Sequence, residues 1–486
     1  MSLNRLIHNE LYKLFHRKSF LITMIIMLGL VILINYISSM SSKISYDNYM
    51  YSDQNIEYLN SEIKSLDSTK ASDVERYVEL QSSLDTINLV KKYPDGAWQR
   101  YIILVQGNIL YQAYNTAKYV LKDDAVIAST KKKLDDFVAT LDANDWKVFA
   151  NQEKAGYEKT ITETEAAIKA TDDKSKLIDL NQTLATTKIN LEVINMRLDK
   201  NIPYGNSYLN TALSSYTSGK TQLLSYDMNN LSEEQKQSIK EANRTIAEAK
   251  FELDNNIDIN DTQTANMKLK SVATTFLYLY VIIGIMVASS MVSEEFNKGT
   301  IKQLLIRPFT RGKILFAKYF TCLVGLLFGI LCVIACQYVM GGILYGFGTY
   351  GQPVVLYNYE TSTLIQMSVL KYIGITFLGA LPEILLLMTL SFSISTVMAS
   401  TPSAVVIPIL TLLFSAIINS LTIMYQLEYM KFFPTMCWDL NQFFFGNETS
   451  YKYDSLNLSI IMSSIYFIGM LIIDFIYFKK KDIKNI

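Results

Sequence analysis

The chain has 486 residues, half of them hydrophobic, and its 45 basic side chains balance 45 acidic ones. This length allows about three average domains, and the mean hydropathy of +0.16 is only slightly apolar. Two histidines leave almost no material for a histidine-based triad or a multi-histidine metal site. Four cysteines without a CxxC pair argue against zinc ribbons, iron–sulfur sites and disulfide scaffolds. The zero net charge gives no support to nucleic-acid binding.

The first apolar run predicts a membrane-spanning helix over residues 19–40. Residues 20–37 are apolar apart from Thr23 and Asn35, and with their flanks they reach the roughly 20 residues that span a bilayer. An uncleaved anchor is favoured over a signal peptide, because the charged region before the run is long and residues 38–41 form only a loose cleavage site. Residues 1–18 predict an in-plane interfacial elbow helix, with a solvated extension as the alternative. Its apolar face would hold Leu3, Leu6, Ile7, Leu11, Leu14 and Phe15.

Five further apolar runs predict five more spans at about 271–292, 319–345, 366–390, 403–424 and 456–478. The predicted fold class is therefore an all-α polytopic membrane protein with six transmembrane helices. Outside residues 41–270 there are 17 Lys and Arg, of which 14 flank the spans on the side that holds both chain ends. Because basic residues collect in the cytoplasm, we expect both termini to be cytoplasmic in a bacterial cell membrane. The exceptions are Lys371, Lys431 and Lys452.

Residues 41–270 are expected to form an extracellular helical domain between spans one and two. They carry 28 Lys and Arg against 34 Asp and Glu, a net charge of −6, so the zero total is a cancellation. Ser232 and Gln235 fit a capping box at the start of one helix. A heptad seam predicts a coiled coil, a helical hairpin or an elongated bundle. The seam consists of Leu177, Leu180, Leu184, Thr187, Leu191, Ile194 and Leu198.

Residues 93–150 of this domain are rich in aromatic side chains, among them Trp98, Trp146 and Phe149. They predict either a packed cap for the bundle or a recognition surface for an amphipathic or aromatic ligand. Residues 218–221 read Ser-Gly-Lys-Thr like the end of a P-loop, but Ser214 stands where the leading glycine belongs. The chain therefore lacks a complete Walker A motif or any other catalytic constellation, and we expect no enzymatic activity of its own.

The segment between spans two and three predicts a short cytoplasmic helix within about 294–313. Gly299 interrupts the chain, residues 300–306 form two helical turns, and Pro308 stops them by removing a donor and restricting its neighbour. Thr310 is placed to cap the helix that becomes span three. An ordinary charged turn is the alternative interpretation.

This segment strongly resembles the permease subunits of type 2 ABC transporters. Their pattern is an acidic pair after the second span, then Gly-Thr, an apolar turn, Arg-Pro and a Ser/Thr-Arg-x-Lys-like run. The resemblance also covers the N-terminal helix and the six-span order, about residues 1–40 and 271–486, but not the insert. The positions that match are Glu294, Glu295, Gly299, Thr300, Leu304, Leu305, Arg307, Pro308, Thr310, Arg311 and Lys313.

The resemblance implies that the segment is a coupling helix, docked in a groove of a separate ATP-binding cassette subunit that binds ATP and Mg. It also implies a second permease copy, in a homodimer or heterodimer, with membrane lipid around it and an amphipathic substrate moved outward. A peptide or antimicrobial is the first expectation, and lipid-linked or drug substrates come next. A membrane sensor or scaffold that binds a ligand and signals through the ATPase without transport is the alternative.

Three features inside or beside the spans are candidates for the substrate path. Glu383 follows Pro382 within span four, where an ionised carboxylate costs about 3 kcal/mol on insertion scales; gating and a structural hydrogen bond are the two interpretations. Asp474 is expected to be an interfacial anchor near Lys479. Residues 425–455 are too aromatic for a free loop; they resemble a re-entrant outer helix that closes the exit, and an aromatic belt is the simpler alternative. Their notable residues are Phe432, Phe433, Pro434 and Trp438.

Overall fold

The computed structural model describes residues 3–41, 53–67, 70–261, 263–300, 309–447, 449 and 451–480. It divides the chain into two compact units. The membrane unit is Met1–Lys43 with Asn260–Ile486, and the inserted unit is Ile44–Ile259. Six helices of the described residues are long and apolar enough to cross a membrane. This α-helical architecture confirms the predicted fold class.

The membrane unit begins with the N-terminal helix Leu3–Phe15. Short helices Ala265–Lys270 and Val272–Thr275 precede span two. Spans two and three differ from their predicted bounds. Span two starts at Leu277 instead of residue 271 and runs past the acidic pair to Asn297, and span three starts eight residues earlier than expected. The facing ends of these two helices therefore carry charged turns. The six spans are Lys18–Ser41, Leu277–Asn297, Arg311–Tyr345, Val369–Val397, Thr401–Tyr425 and Leu456–Lys480.

Span two lies at the centre of the membrane unit. Its apolar window is 67% buried, whereas that of span six is only 11% buried. Gly284 of span two lies against Met388 of span four, and a Cβ atom there would approach the Met388 side chain to 3.2 Å. Small residues of this kind let helices approach closely in a membrane. The exposed apolar side chains of the outer spans are therefore free to face lipid.

A two-stranded antiparallel hairpin separates spans three and four. Val354–Asn358 pairs with Thr363–Met367, with Val354 opposite Met367. The Asn358 side chain accepts hydrogen bonds from the backbone N–H groups of Glu360 and Thr361, an Asx turn that closes the loop. The expected start of span four at residue 366 was wrong, because that residue belongs to the second strand. Ser368 caps the helix instead.

The inserted unit is helical throughout its regular elements. The predicted capping box at Ser232 and Gln235 is present, and Asp173 caps the helix that carries the heptad seam. Two π-helical turns, Ile103–Gly107 and Ala117–Leu121, flank one short helix. The α-helices are Asp53–Ser65, Ala71–Val90, Trp98–Ile102, Asn108–Thr116, Asp124–Asp142, Lys147–Ala170, Lys174–Asp199, Tyr208–Leu224 and Glu233–Asn255.

The aromatic residues of the inserted unit form much of its core. Trp98, Phe137, Trp146 and Phe149 are buried together with Tyr204. This inward packing matches the cap for these four side chains, whereas Tyr111, Tyr114 and Tyr119 of the same segment line a cavity. Residues 218–221 lie inside the helix Tyr208–Leu224 rather than in a phosphate-binding loop, as the broken motif predicted.

Candidate functional site: the cytoplasmic charge ring

The predicted coupling segment joins the end of span two to the start of span three. Glu294 and Glu295 lie in the last turn of span two, which ends at Asn297. Gly299, just beyond the helix end, has a left-handed backbone conformation with a φ of +66°. The Thr300 hydroxyl lies 3.5 Å from the Glu295 carbonyl. Leu304, Leu305, Arg307 and Pro308 lie outside the described residues. Thr310 occupies the N-cap position of span three, but its side chain makes no capping hydrogen bond, so that expectation was wrong.

The acidic pair contacts the N-terminal helix and the residues after it. Glu294 lies 3.5 Å from Arg17 and 3.1 Å from Lys298. Glu295 lies 3.2 Å from Lys13. The coupling segment is therefore attached by ion pairs to the predicted elbow helix, a contact between residues about 280 positions apart in the chain.

Lys318 is the buried centre of this arrangement. It lies inside span three with its side chain only 1% exposed. Its ammonium group lies 2.9 Å from Glu10 and 2.9 Å from Glu295, and it donates to the Met291 carbonyl at 3.2 Å. The positive charge therefore has three partners where water is excluded.

These contacts close into a ring of alternating charge, here called the charge ring (Glu10, Lys13, Glu295 and Lys318). The fourth side of the ring is the pair between Lys13 and Glu10 at 2.8 Å. The ring joins the N-terminal helix, the end of span two and the start of span three. Its two positive and two negative groups balance, so that no member is left as an isolated buried charge.

The two ring members outside the spans are held in their charged forms. Burial alone would raise the pKa of Glu10, but the neighbouring Lys318 and Lys13 ammonium groups outweigh burial and lower that pKa. Burial opposes the charge of Lys13 as well, yet its hydrogen bond to Glu10 and the charge of Glu295 raise the pKa of Lys13. Both shifts favour the charged forms of Glu10 and Lys13 at neutral pH.

One ring oxygen is left without a partner. The Oε1 atom of Glu295 forms the ion pairs with both Lys13 and Lys318. Its Oε2 atom is buried and makes no hydrogen bond within the part of the chain that the structure describes. A buried acceptor of this kind costs free energy, of order 1–3 kcal/mol. It lies on the helix that leads directly into the predicted coupling segment.

The far side of the segment is held by span six. Arg311 donates from Nη1 to the Lys479 carbonyl at 3.0 Å. The next residue, Gly312, has no room for a side chain, because a Cβ atom there would meet the Phe475 ring at 2.6 Å. Lys313, another predicted coupling residue, is exposed in the first turn of the helix. The start of span three is therefore fixed to the end of span six as well as to the ring.

The predicted gate residues come together only in part. Glu383 is 7% exposed, and no hydrogen bond or ion pair reaches its carboxylate within the described ranges; Asp439 is close enough to interact with it electrostatically. Pro382 directly precedes Glu383 on this helix. Gly379 lies one turn before Glu383, and its carbonyl accepts a hydrogen bond from the Leu440 N–H at 3.0 Å. The structural hydrogen bond that was one interpretation of Glu383 is thus not found among the described residues.

The segment that follows span five folds back onto the other spans. Pro434 starts a four-residue helix, Pro434–Cys437. Thr435 exchanges hydrogen bonds with Asn419 of span five, and Ser463 of span six donates to the Cys437 carbonyl at 2.8 Å. Trp438 is buried in the main core. Phe432 and Phe433 are 48% and 40% exposed, so they are not part of this buried group.

Asp474 does not have the expected role. It is fully buried within span six and accepts a hydrogen bond from Ser393 of span four at 2.7 Å, with no ion pair to Lys479 among the described residues. The interpretation as an interfacial anchor was therefore wrong. Spans four and six are joined there by a polar contact buried between the helices.

A family model described as a protein of unknown function, DUF2705, matches residues 235–484, just over half of the chain. The chain belongs to the DUF2705 family. The uncharacterized protein YhcI of Bacillus subtilis (strain 168) is 30% identical to it over 246 residues, which are 50% of this chain and 76% of YhcI. No solved structure matches the chain.

The DUF2705 match covers two members of the charge ring and leaves out the other two. Glu295 and Lys318 lie within residues 235–484, whereas Glu10 and Lys13 precede them. Sequence analysis did not single out Glu10 and Lys318 as site residues, although the residues around each carry a signal. Glu10 lies four residues from both Leu6 and Leu14 on the apolar face of its helix, and Lys318 interrupts an apolar run. A charge in such a position indicates a buried partner.

Proposed function

We propose that this DUF2705 protein is the membrane-spanning permease subunit of an ATP-driven exporter, working with a separate ATP-binding cassette protein. ATP and Mg would be bound by that partner, and a second permease copy would complete the assembly. The working location is the bacterial cell membrane with both termini cytoplasmic and residues 41–270 outside. The observation that carries the proposal is the charge ring at the base of the predicted coupling segment.

The ring gives the segment a mechanical connection to the spans. A partner that pulls on the residues after Gly299 would move Glu295, which shares Lys318 with Glu10. Because separating buried opposite charges costs about 3–5 kcal/mol, the N-terminal helix and span three would follow rather than detach. Arg311 would transmit the same movement to the end of span six through its bond to the Lys479 carbonyl.

The substrate path is proposed to pass Glu383 and the segment that contains Pro434 and Trp438. The segment is fixed to span four by the Leu440 bond and to spans five and six by side-chain bonds. Rearrangement of the spans would therefore move this segment. An amphipathic substrate, a peptide or antimicrobial first and a lipid-linked molecule or drug next, would leave on the outer side.

A sensor or scaffold without transport is the second candidate, because the inserted unit holds a polar cavity of about 660 Å³. The cavity lies beside the π-helical turn Ala117–Leu121, and its lining includes carboxylates, lysines and tyrosine rings. Ligand binding there, followed by a change in partner ATPase activity without movement of any solute, is what this candidate requires. The polar and aromatic residues that line the cavity include Asp85, Asp135, Asp142, Tyr111, Tyr114 and Lys118.

The first experiment tests the partner. The full-length chain is expressed with an affinity tag beside the cassette ATPase encoded nearest to its gene, and association is measured after solubilisation. We expect the ATPase to copurify, and we expect Arg307→Glu or deletion of residues 300–306 to abolish association. Lys371→Gln, an exposed change on the predicted outer side, is the control. Undiminished association of both coupling variants would refute the coupling assignment.

The second experiment separates transport from signalling. The complex is reconstituted in liposomes with a fluorescent amphipathic helical peptide as the probe, and ATP-dependent accumulation on the exit side is measured. The permease proposal predicts accumulation in the wild type and its loss in Glu383→Gln with ATPase association intact. Peptide-stimulated hydrolysis without accumulation would favour the sensor, and unchanged accumulation in Glu383→Gln would remove that residue from the path.

A further inference from the structure

A groove in the membrane unit has apolar walls and a basic rim. Its volume is about 730 Å³, and its lining exposes far more apolar than polar surface. It lies where the N-terminal helix begins, span three begins and span six ends. The described lining residues include no acidic side chain; they are Leu3, Thr310, Arg311, Gly312, Lys313, Phe316, Phe475 and Lys479.

The walls and the rim are separated along the helix axes. Phe475 precedes Lys479 by one helical turn on the same face, a rise of about 6 Å. In span three, which starts at the groove, Phe316 follows Lys313 and therefore lies farther from the helix end. Both rings are open, with Phe316 50% and Phe475 46% exposed. Apolar surface therefore lies on the membrane side of the groove and positive charge on the side of the helix ends.

The two lysines of the rim have no competing partner. Lys313 and Lys479 are exposed, and neither forms an ion pair with the residues that the structure describes. Glu294, at the end of span two, pairs instead with Arg17 and Lys298. Lys313 and Lys479 thus present positive charge that no described carboxylate neutralises, beside an apolar groove. This arrangement is complementary to a ligand with an anionic head and an apolar tail.

We propose that this groove binds one anionic phospholipid. Its phosphate lies between Lys313 and Lys479, and an acyl chain runs along Phe316 and Phe475. Basic pockets between membrane helices are suited to such headgroups. The site lies at the foot of the coupling segment and is separate from the charge ring, so the inference does not depend on transport activity.

The test measures lipid retention by the full-length chain. The protein is exchanged into mixed vesicles of phosphatidylglycerol and phosphatidylcholine with identical acyl chains, purified, and its bound lipids are quantified by mass spectrometry. We expect enrichment of phosphatidylglycerol in the wild type and a loss of about fivefold for each lysine removed in Lys313→Gln with Lys479→Gln. Lys371→Gln with Lys452→Gln, on the predicted outer side, is the matched control and retains the enrichment.

Two further arms identify the source of the phosphate and test whether the lipid preference is electrostatic. If the groove takes a lipid, inorganic phosphate or glycerol phosphate fails to displace phosphatidylglycerol, whereas added salt weakens the wild-type preference. Displacement by free phosphate at the same concentration as lipid would overturn the lipid assignment. Equal retention of the two lipids by the wild type, at low and high salt, would overturn the site altogether.

Discussion

The two units use charged side chains in opposite ways. The membrane unit gathers four into the charge ring, where Lys318 is 1% and Glu10 3% exposed. The inserted unit spreads its ion pairs over helix surfaces; Lys188 and Glu165 meet at 2.9 Å while they are 53% and 45% exposed. Exposed pairs contribute about 0–1 kcal/mol, whereas breaking a buried pair costs about 3–5 kcal/mol. Ion pairs therefore matter more for stability at the ring than in the inserted unit.

The largest effect is expected for Lys318→Met. The change leaves Glu10 and Glu295 buried without their shared cation and should lower the stability of the membrane unit by about 3–5 kcal/mol. Thermal unfolding in detergent measures the loss, and hydrogen exchange should localise it to the N-terminal helix and spans two and three. The control is Lys371→Met, whose side chain is exposed. A loss no greater than that of the control would show that the ring is not a stabilising feature.

A somewhat smaller effect is expected for Leu141→Ala in the inserted unit. Leu141 is fully buried in the aromatic core, and truncating a buried leucine costs about 2–5 kcal/mol. Exchange should accelerate in Asp124–Asp142 and Lys147–Ala170 while the spans keep their protection. Ile178→Ala, at a position 67% exposed, serves as the matched control. Equal acceleration in both units would contradict an effect confined to the core that contains Leu141.

Loss of one helix cap should cost less. Ser232→Ala removes the acceptor for Gln235 N–H and is expected to destabilise that helix by about 1 kcal/mol. Amide exchange in the first turn of Glu233–Asn255 reports the change. Ser232→Thr keeps a capping hydroxyl and should restore most of the protection. If the threonine variant exchanged as fast as the alanine variant, the capping box would not explain the effect.

The smallest effect is expected for Lys188→Gln. Its exposed pair with Glu165 joins two long helices of the inserted unit, and its loss should change stability by less than about 1 kcal/mol. Thermal unfolding at low and high salt measures the difference, which should shrink as salt screens the charges. A loss as large as that of Lys318→Met would remove the contrast between the two units.

Hydropathy and helix-end chemistry predicted much of the fold. Apolar runs located six spans because a bilayer requires about 20 apolar residues, and the capping box at Ser232 is a local signal. The hairpin that starts at Val354 was missed, since its second strand continues into span four and extends the apolar run. Helix ends were also displaced, because charged residues such as Glu295 and Lys318 can lie inside a helix when tertiary partners neutralise them.

The candidate site could be predicted only in part for the same reason. The acidic pair and the bases of the coupling segment stand out in the sequence, but their partners lie far away in the chain: Glu10 meets Lys318 across 308 positions. Periodicity places Glu10 on an apolar face without saying which cation covers it. Asp474 shows the converse error, because closeness in sequence to Lys479 suggested an ion pair, whereas the folded chain buries it against Ser393.

The most direct test of the account is ATP hydrolysis by the cassette partner in liposomes with wild type and Glu295→Gln. This change keeps the shape of the side chain but removes the charge that links Lys13 and Lys318. The account predicts that the partner still copurifies, while stimulation of hydrolysis by the peptide probe falls to the basal rate and Lys371→Gln keeps full stimulation. Full stimulation in Glu295→Gln would contradict the claim that the charge ring couples the partner to the spans.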